Sequence, residues 1–182
     1  MSEVKPIRID LTEEDMQYSL WLGKFRYDPF KFASRDGIQG NTINSQNFFP
    51  NKEPWFRSYV GAVGEVAYSK WTGYPITETT WNDGRSVEDG TDFPDGSNVK
   101  ASEIDEIPNL LIPVVHYKKW IPKSYVLAWA RLLQRECFLL GKITRKKADD
   151  VKYLVKKGDR KMKCNTYWIE RHHLNIADLL PF

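Results

Sequence analysis

Asp92-Phe93-Pro94-Asp95-Gly96-Ser97-Asn98-Val99-Lys100-Ala101-Ser102 is the stretch on which the fold turns. Its Pro-Asp-Gly-Ser centre is turn chemistry: proline presets φ, aspartate bonds nearby backbone, and glycine accepts positive φ. Asn98-Val99-Lys100-Ala101-Ser102 emerges from that turn as a strand. Residues 98 and 100 then share one face while Val99 points to the opposite, buried one. An oxygen-bearing amide and a lysine therefore stand together at a strand start, with Asp92 just across the turn.

Upstream, a helix is predicted from near Pro54 to about Trp71, carrying Gly61, Gly64 and Glu65 in its middle. Two glycines inside a helix cost up to about 1 kcal/mol each, so close approach to a sheet is expected there. Earlier still, Ile7-Arg8-Ile9-Asp10-Leu11 alternates as a short strand, and Thr12-Glu13-Glu14-Asp15 opens a helix to about Tyr27 with a capping hydroxyl and first-turn acids. Residues 28–53, with Pro29, Gly37, Gly40 and Pro50, read as a long loop. Downstream, 125–130 and 138–143 read as two buried strands, Thr144 caps a basic helix to about Lys157, and the Tyr167-Trp168-Ile169 end packs back as a strand or short helix. The fold class expected is α/β (α+β), a central mixed β-sheet flanked by helices. One domain, 1–182, is expected, with an N-terminal helix and loop (about 1–53) and a basic C-terminal segment (about 142–182).

Composition narrows the function. The 182 residues, 41% hydrophobic and 28% charged, suffice for one real core. No apolar run reaches the roughly 20 residues of a membrane helix, so no membrane partner and a soluble, cytoplasmic protein are expected. Cys137 and Cys164 cannot make a disulfide scaffold or a zinc knuckle, and Cys137 reads as a buried thiol. Net charge is +3, but residues 1–117 carry 11 basic and 18 acidic groups, whereas 118–182 carry 16 and 6. An acidic half and a basic half suit a protein that binds a metal and faces a polyanion.

If Glu65 packs against the sheet near Asp92, two carboxylates and an amide oxygen make a hard donor set suited to Mg²⁺ or Mn²⁺. Here the sequence resembles the PD-(D/E)XK nuclease superfamily, and more narrowly its small phage-encoded members. The resembling residues are Leu11-Thr12, Gly61-Ala62-Val63-Gly64-Glu65, Asp92, Asn98-Val99-Lys100 and the strands 125–130 and 138–144, in that order along most of the chain. The resemblance implies a restriction-endonuclease-like core and metal-dependent hydrolysis of phosphodiester bonds, in DNA rather than RNA, in a host cytoplasm. It implies Asp92, Glu65, Asn98 and the backbone carbonyl of Val99 as metal ligands, with Lys100 orienting the attacking water or stabilising phosphate charge. Members often pair as homodimers; this sequence shows no motif for pairing.

One position departs from the pattern: Asn98 stands where the superfamily has Asp or Glu, which lowers the expected metal affinity. An inactivating change, compensation by Asp95 or Glu103, and lost catalysis all fit, so a nucleic-acid-binding module of the same fold is the alternative. A phage structural or host-interaction protein is a weaker third. Lys142, Arg145, Lys146 and Lys147, with Ser102 and Arg57, are expected to contact nucleic acid; Arg26 and Arg35 are further phosphate ligands, and Trp55, Trp81, Trp120 and Trp168 could stack on bases. Plainer roles exist for each: Glu65 as a solvent-facing helix residue, Asp92 as a turn cap, Lys100 as a surface lysine, the basic run as a solvated face.

Overall fold

The computed structural model describes residues 5–27, 53, 55–76, 91–162 and 164–179. The loop read at 28–52, Arg35 and Trp81 lie outside them. In chain order the elements are β1 (Ile7–Asp10), α1 (Glu13–Tyr27), α2 (Phe56–Thr72), β2 (Ser97–Ser102), β3 (Leu110–Pro113), α3 (Val114–Lys119), β4 (Ser124–Arg131), β5 (Glu136–Thr144), α4 (Arg145–Val151), β6 (Tyr153–Val155) and β7 (Thr166–Ile169). One sheet runs β1-β5-β4-β2, and a smaller one β3-β7-β6. β2 pairs with β4 in parallel, while β4–β5 and β1–β5 are antiparallel. The mixed sheet flanked by helices is therefore present.

Alternation along the strands assigns the two faces. Val99 of β2, Val126, Ala128 and Ala130 of β4, and Cys137 and Leu139 of β5 pack with Val63 and Ala67 of α2, with α1 behind. Tyr125, Leu127, Leu140 and Ile143 face the other way, meeting Tyr117 of α3, Ala148 of α4 and the small sheet's Leu110, Ile112 and Ile169. The helix glycines divide. A Cβ on Gly64 would stand 2.6 Å from the Ala101 Cβ, so here α2 does lie against the sheet, whereas a Cβ on Gly61 would meet nothing within 4 Å.

α1 starts as the sequence predicts: the Thr12 hydroxyl accepts from the Asp15 amide at 3.1 Å, and the Asp15 carboxylate accepts from the Thr12 amide at 2.7 Å, satisfying two otherwise orphaned donors. The basic helix is much shorter than expected. Thr144 caps it, but it ends at Val151, and Tyr153-Leu154-Val155 pairs with β7 instead. An aromatic and a β-branched residue, Tyr153 and Val155, with a ladder available win over further helical turns.

A bulge reshapes β5. Register shifts between Leu127 and Ala128, opposite Gly141, whose φ of 145° suits glycine. Side-chain alternation slips by one beyond it. Ile143 consequently faces the small sheet, and Lys142 turns to the α2 face.

Candidate functional site

β2 forms one edge of the four-stranded sheet among the described residues, and the tight turn before it folds Asp92 against that edge. Gly96, at φ 80°, donates its amide to the Phe93 carbonyl at 2.9 Å, and the Asp92 amide donates to the Ser97 carbonyl at 2.8 Å. The Asp92 carboxylate accepts the Val99 amide at 2.6 Å. The N–H and C=O of one strand residue face the same edge, so the Val99 carbonyl is directed toward the Asp92 side too. Asp92 thus caps the turn and stands at the candidate site.

Glu65 reaches this edge from α2. It is 5% exposed, which excludes the solvent-facing reading. Arg26, in the last turn of α1, grips it with Nη1 to Oε1 at 2.5 Å and Nη2 to Oε2 at 2.7 Å. Burial works against the Arg26 charge, but Glu65 outweighs it and holds the guanidinium charged more firmly than usual. Burial pushes Asp92 up to about 7, with the neighbouring Glu65 carboxylate adding to it against Lys100, the Val99 amide and Arg26. Lys100 is lowered by burial, opposed by Asp92 and then Glu65. Glu65, Asp92 and Lys100 therefore share one field, with Arg26 as a fourth member; turn and strand spacing places Asp92 near Lys100, while Glu65 is expected there only if α2 packs on the sheet. Asn98 is buried, at 3% exposure.

Arg26, expected as a phosphate ligand, is instead paired with Glu65. Ser19, Leu22 and Arg26 are spaced as one helical stripe, and Ser19 and Leu22 are fully buried. Continuing that stripe by one turn is the signal that places Arg26 inward.

The remaining site residues disperse. Bulge geometry sends the Lys142 ammonium to Asp95 at 2.8 Å, in a network where Asp95 also accepts from Tyr68 at 2.8 Å and Ser97 at 2.7 Å. Neither Lys142 as a nucleic-acid contact nor Asp95 as a replacement acid is free for that task. Arg145 is a clamp: its guanidinium donates to the Tyr125 hydroxyl at 2.7 Å and the Tyr117 carbonyl at 2.9 Å, and lies 3.3 Å from the Tyr117 ring centroid. It ties α4 to α3 rather than facing outward. Lys146 and Lys147 are exposed on α4. Arg57 and Ser102 come together across a cleft of about 860 Å³ between the start of α2, the end of β2 and the small sheet, with Glu103 on its rim. Trp55 and Trp120 are buried, which removes them as stacking surfaces; Trp168 is half-buried. Cys137 is fully buried, and burial raises its thiol to about 12.

The donors at the β2 edge are oxygens: the Asp92 carboxylate and, directed to the same side, the Val99 carbonyl, while both Glu65 oxygens are held by Arg26. That chemistry fits Mg²⁺ or Mn²⁺. Its charge is modest, because Arg26 and Lys100 already balance the two carboxylates, and no cluster of three His, Cys, Asp or Glu occurs among the described residues. Comparison with family models, curated proteins and solved structures gives no match. Among the described residues no helix is long and apolar enough to cross a membrane.

Proposed function

We propose that this chain is a metal-dependent nuclease of the PD-(D/E)XK type, with a restriction-endonuclease-like core, acting on DNA in a host cytoplasm. The observation that carries this reading is the meeting of Glu65, Asp92 and Lys100, from a helix, a turn and a strand, at one sheet edge where each shifts the charge state of another. A bound Mg²⁺ or Mn²⁺ would lower the pKa of its water and act as Lewis acid on the phosphate. Asp92, Asn98 and the Val99 carbonyl would hold the ion, together with Glu65. Lys100 orients the attacking water and offsets charge on the phosphate, while Lys146, Lys147, Arg57 and Ser102 position the backbone.

A second reading, a binding module of the same fold with weak or no cleavage, is favoured by two observations. Asn98 brings no charge, and both Glu65 oxygens are taken by Arg26. The deciding experiment compares the chain with Asn98→Asp and Lys100→Ala on plasmid, single-stranded and branched DNA with Mg²⁺ or Mn²⁺. Cleavage gained or raised in Asn98→Asp and lost in Lys100→Ala supports the nuclease. DNA binding without cleavage in any variant supports the module and removes the enzyme.

A further inference from the structure

We propose that the cleft beside Lys100 is a track for a single nucleic-acid strand, with Trp168 and Tyr153 as the platform on which its bases stack. The proposal deepens the nuclease reading and rests on it only for where the chemistry occurs.

Strand register locates the track. β7 lies between β3 and β6, so that Thr166 stands opposite Pro113 and Val155, and Trp168 opposite Leu111 and Tyr153. Directly opposed residues share a face, as do residues two apart. Leu111, Pro113 and Thr166 line the cleft; the row Leu111, Trp168, Tyr153 is therefore part of the same floor, extending outward. The opposite face of this small sheet is spent on the core, where Leu110, Ile112 and Ile169 are fully buried. Across the floor, Ala101 and Ser102 line the wall, immediately after Lys100 in β2.

The chemistry of the outer row selects the occupant. Trp168 and Tyr153 stack with centroids 6.3 Å apart and planes 28° apart. The Arg160 guanidinium lies over the Trp168 ring, 4.8 Å from its centroid, and donates to the Tyr153 hydroxyl at 3.3 Å. Lys156 and Lys157, on the same hairpin, are exposed, as is Arg57 on the wall. Flat aromatic faces with cations beside them bind unpaired bases and their phosphates with little sequence preference. A duplex keeps its bases stacked on each other and offers this platform no ring face. The cleft volume falls in the range of roughly 300–1,000 Å³ typical of sites that enclose a ligand, in contrast to the open basic face of α4.

Binding of a labelled oligothymidylate and of a duplex, followed by fluorescence anisotropy in EDTA, tests the track without requiring cleavage. Trp168→Ala should weaken single-strand binding by about fivefold or more, with duplex binding nearly unchanged, and Trp168→Phe should retain most of it. Should Trp168→Ala not fold, Tyr153→Ala and Arg160→Gln, both at exposed positions, read the same platform. Cys164 is exposed and lines the cleft, so the oligonucleotide should also slow its reaction with a maleimide, while buried Cys137 stays silent. Unchanged strand affinity in these variants, equal losses on duplex, an unprotected Cys164, or competition by polyglutamate as effective as by oligonucleotide would each overturn the track. Cleavage that persists without dependence on Trp168 would leave the nuclease standing and remove the track; strand binding through Trp168 with no cleavage would do the reverse.

Discussion

Gly64→Ala and Gly61→Ala, three residues apart on α2, should move stability in opposite directions. A Cβ at position 64 would stand 2.6 Å from the Ala101 Cβ and 3.3 Å from both the Ala128 Cβ and the Val99 Cγ1, well inside the roughly 3.5–4.0 Å optimum for carbon contacts. The two alanine methyls are fixed to β2 and β4 and cannot swing away, so helix and sheet must part. Such overpacking costs typically about 1–3 kcal/mol, against a gain of about 1 kcal/mol from replacing a helical glycine, which leaves Gly64→Ala with a net loss of up to about 2 kcal/mol. At position 61 nothing lies within 4 Å, so only the gain of about 1 kcal/mol remains. The gap between the variants is the overpacking term itself. For a chain of this length each kcal/mol moves Tm by about 2–4 °C, and urea midpoints at equal slope separate the two variants cleanly. Equal stability would mean that α2 does not lie this close to β2, and the placement of Glu65 beside Asp92 would fall with it.

Other expectations come from the charges at the same edge. Arg26→Met leaves Glu65 buried without its partner and should cost about 3–5 kcal/mol, most of it recovered in Arg26→Met/Glu65→Leu; a loss near zero in urea unfolding would refute the ion pair. The folded pKa of Asp92, about 7, exceeds the ordinary value of 3.8, so the folded state favours its protonated form, and the chain loses stability from this group as pH rises from about 4 to about 7. Asp92→Asn should accordingly gain on the parent across that interval and hold a constant lead above it; a difference independent of pH would show Asp92 to be ionised at its ordinary value.

Local patterns make much of this molecule readable. The Thr12 cap, the apolar spacing of α2 and the two buried runs of β4 and β5 are written in consecutive residues. The features that escape a sequence reading depend on distant partners. Tyr153-Leu154-Val155 comes after a basic helix and reads as its continuation; only the ladder with Thr166-Tyr167-Trp168 makes it a strand. Leu110-Leu111-Ile112-Pro113 is a strand for the same reason. A glycine inside a strand hints at a bulge, but its register does not show in sequence, so plain alternation puts Lys142 on the wrong side of its own strand. The nearness of Asp92 to Lys100 is legible through turn and strand spacing, whereas that of Glu65 depends on how α2 packs. The place of Arg26 is not legible, because an ion pair spanning 39 positions leaves no local trace.

The hydrogen bond from the Val99 amide to Asp92 also occupies a donor on the strand that forms the sheet edge among the described residues. An outermost strand with bare amides is a template for another molecule's strand, and here the acid that would ligate a cation also occupies that amide. On the proposed nuclease reading, one carboxylate would thus serve both the cation and the strand edge. Alanine at position 92 would uncap the strand as well as remove the charge, and poor recovery of that variant would say little about chemistry. Asparagine, which keeps an acceptor oxygen for the amide, is the replacement that separates the two duties.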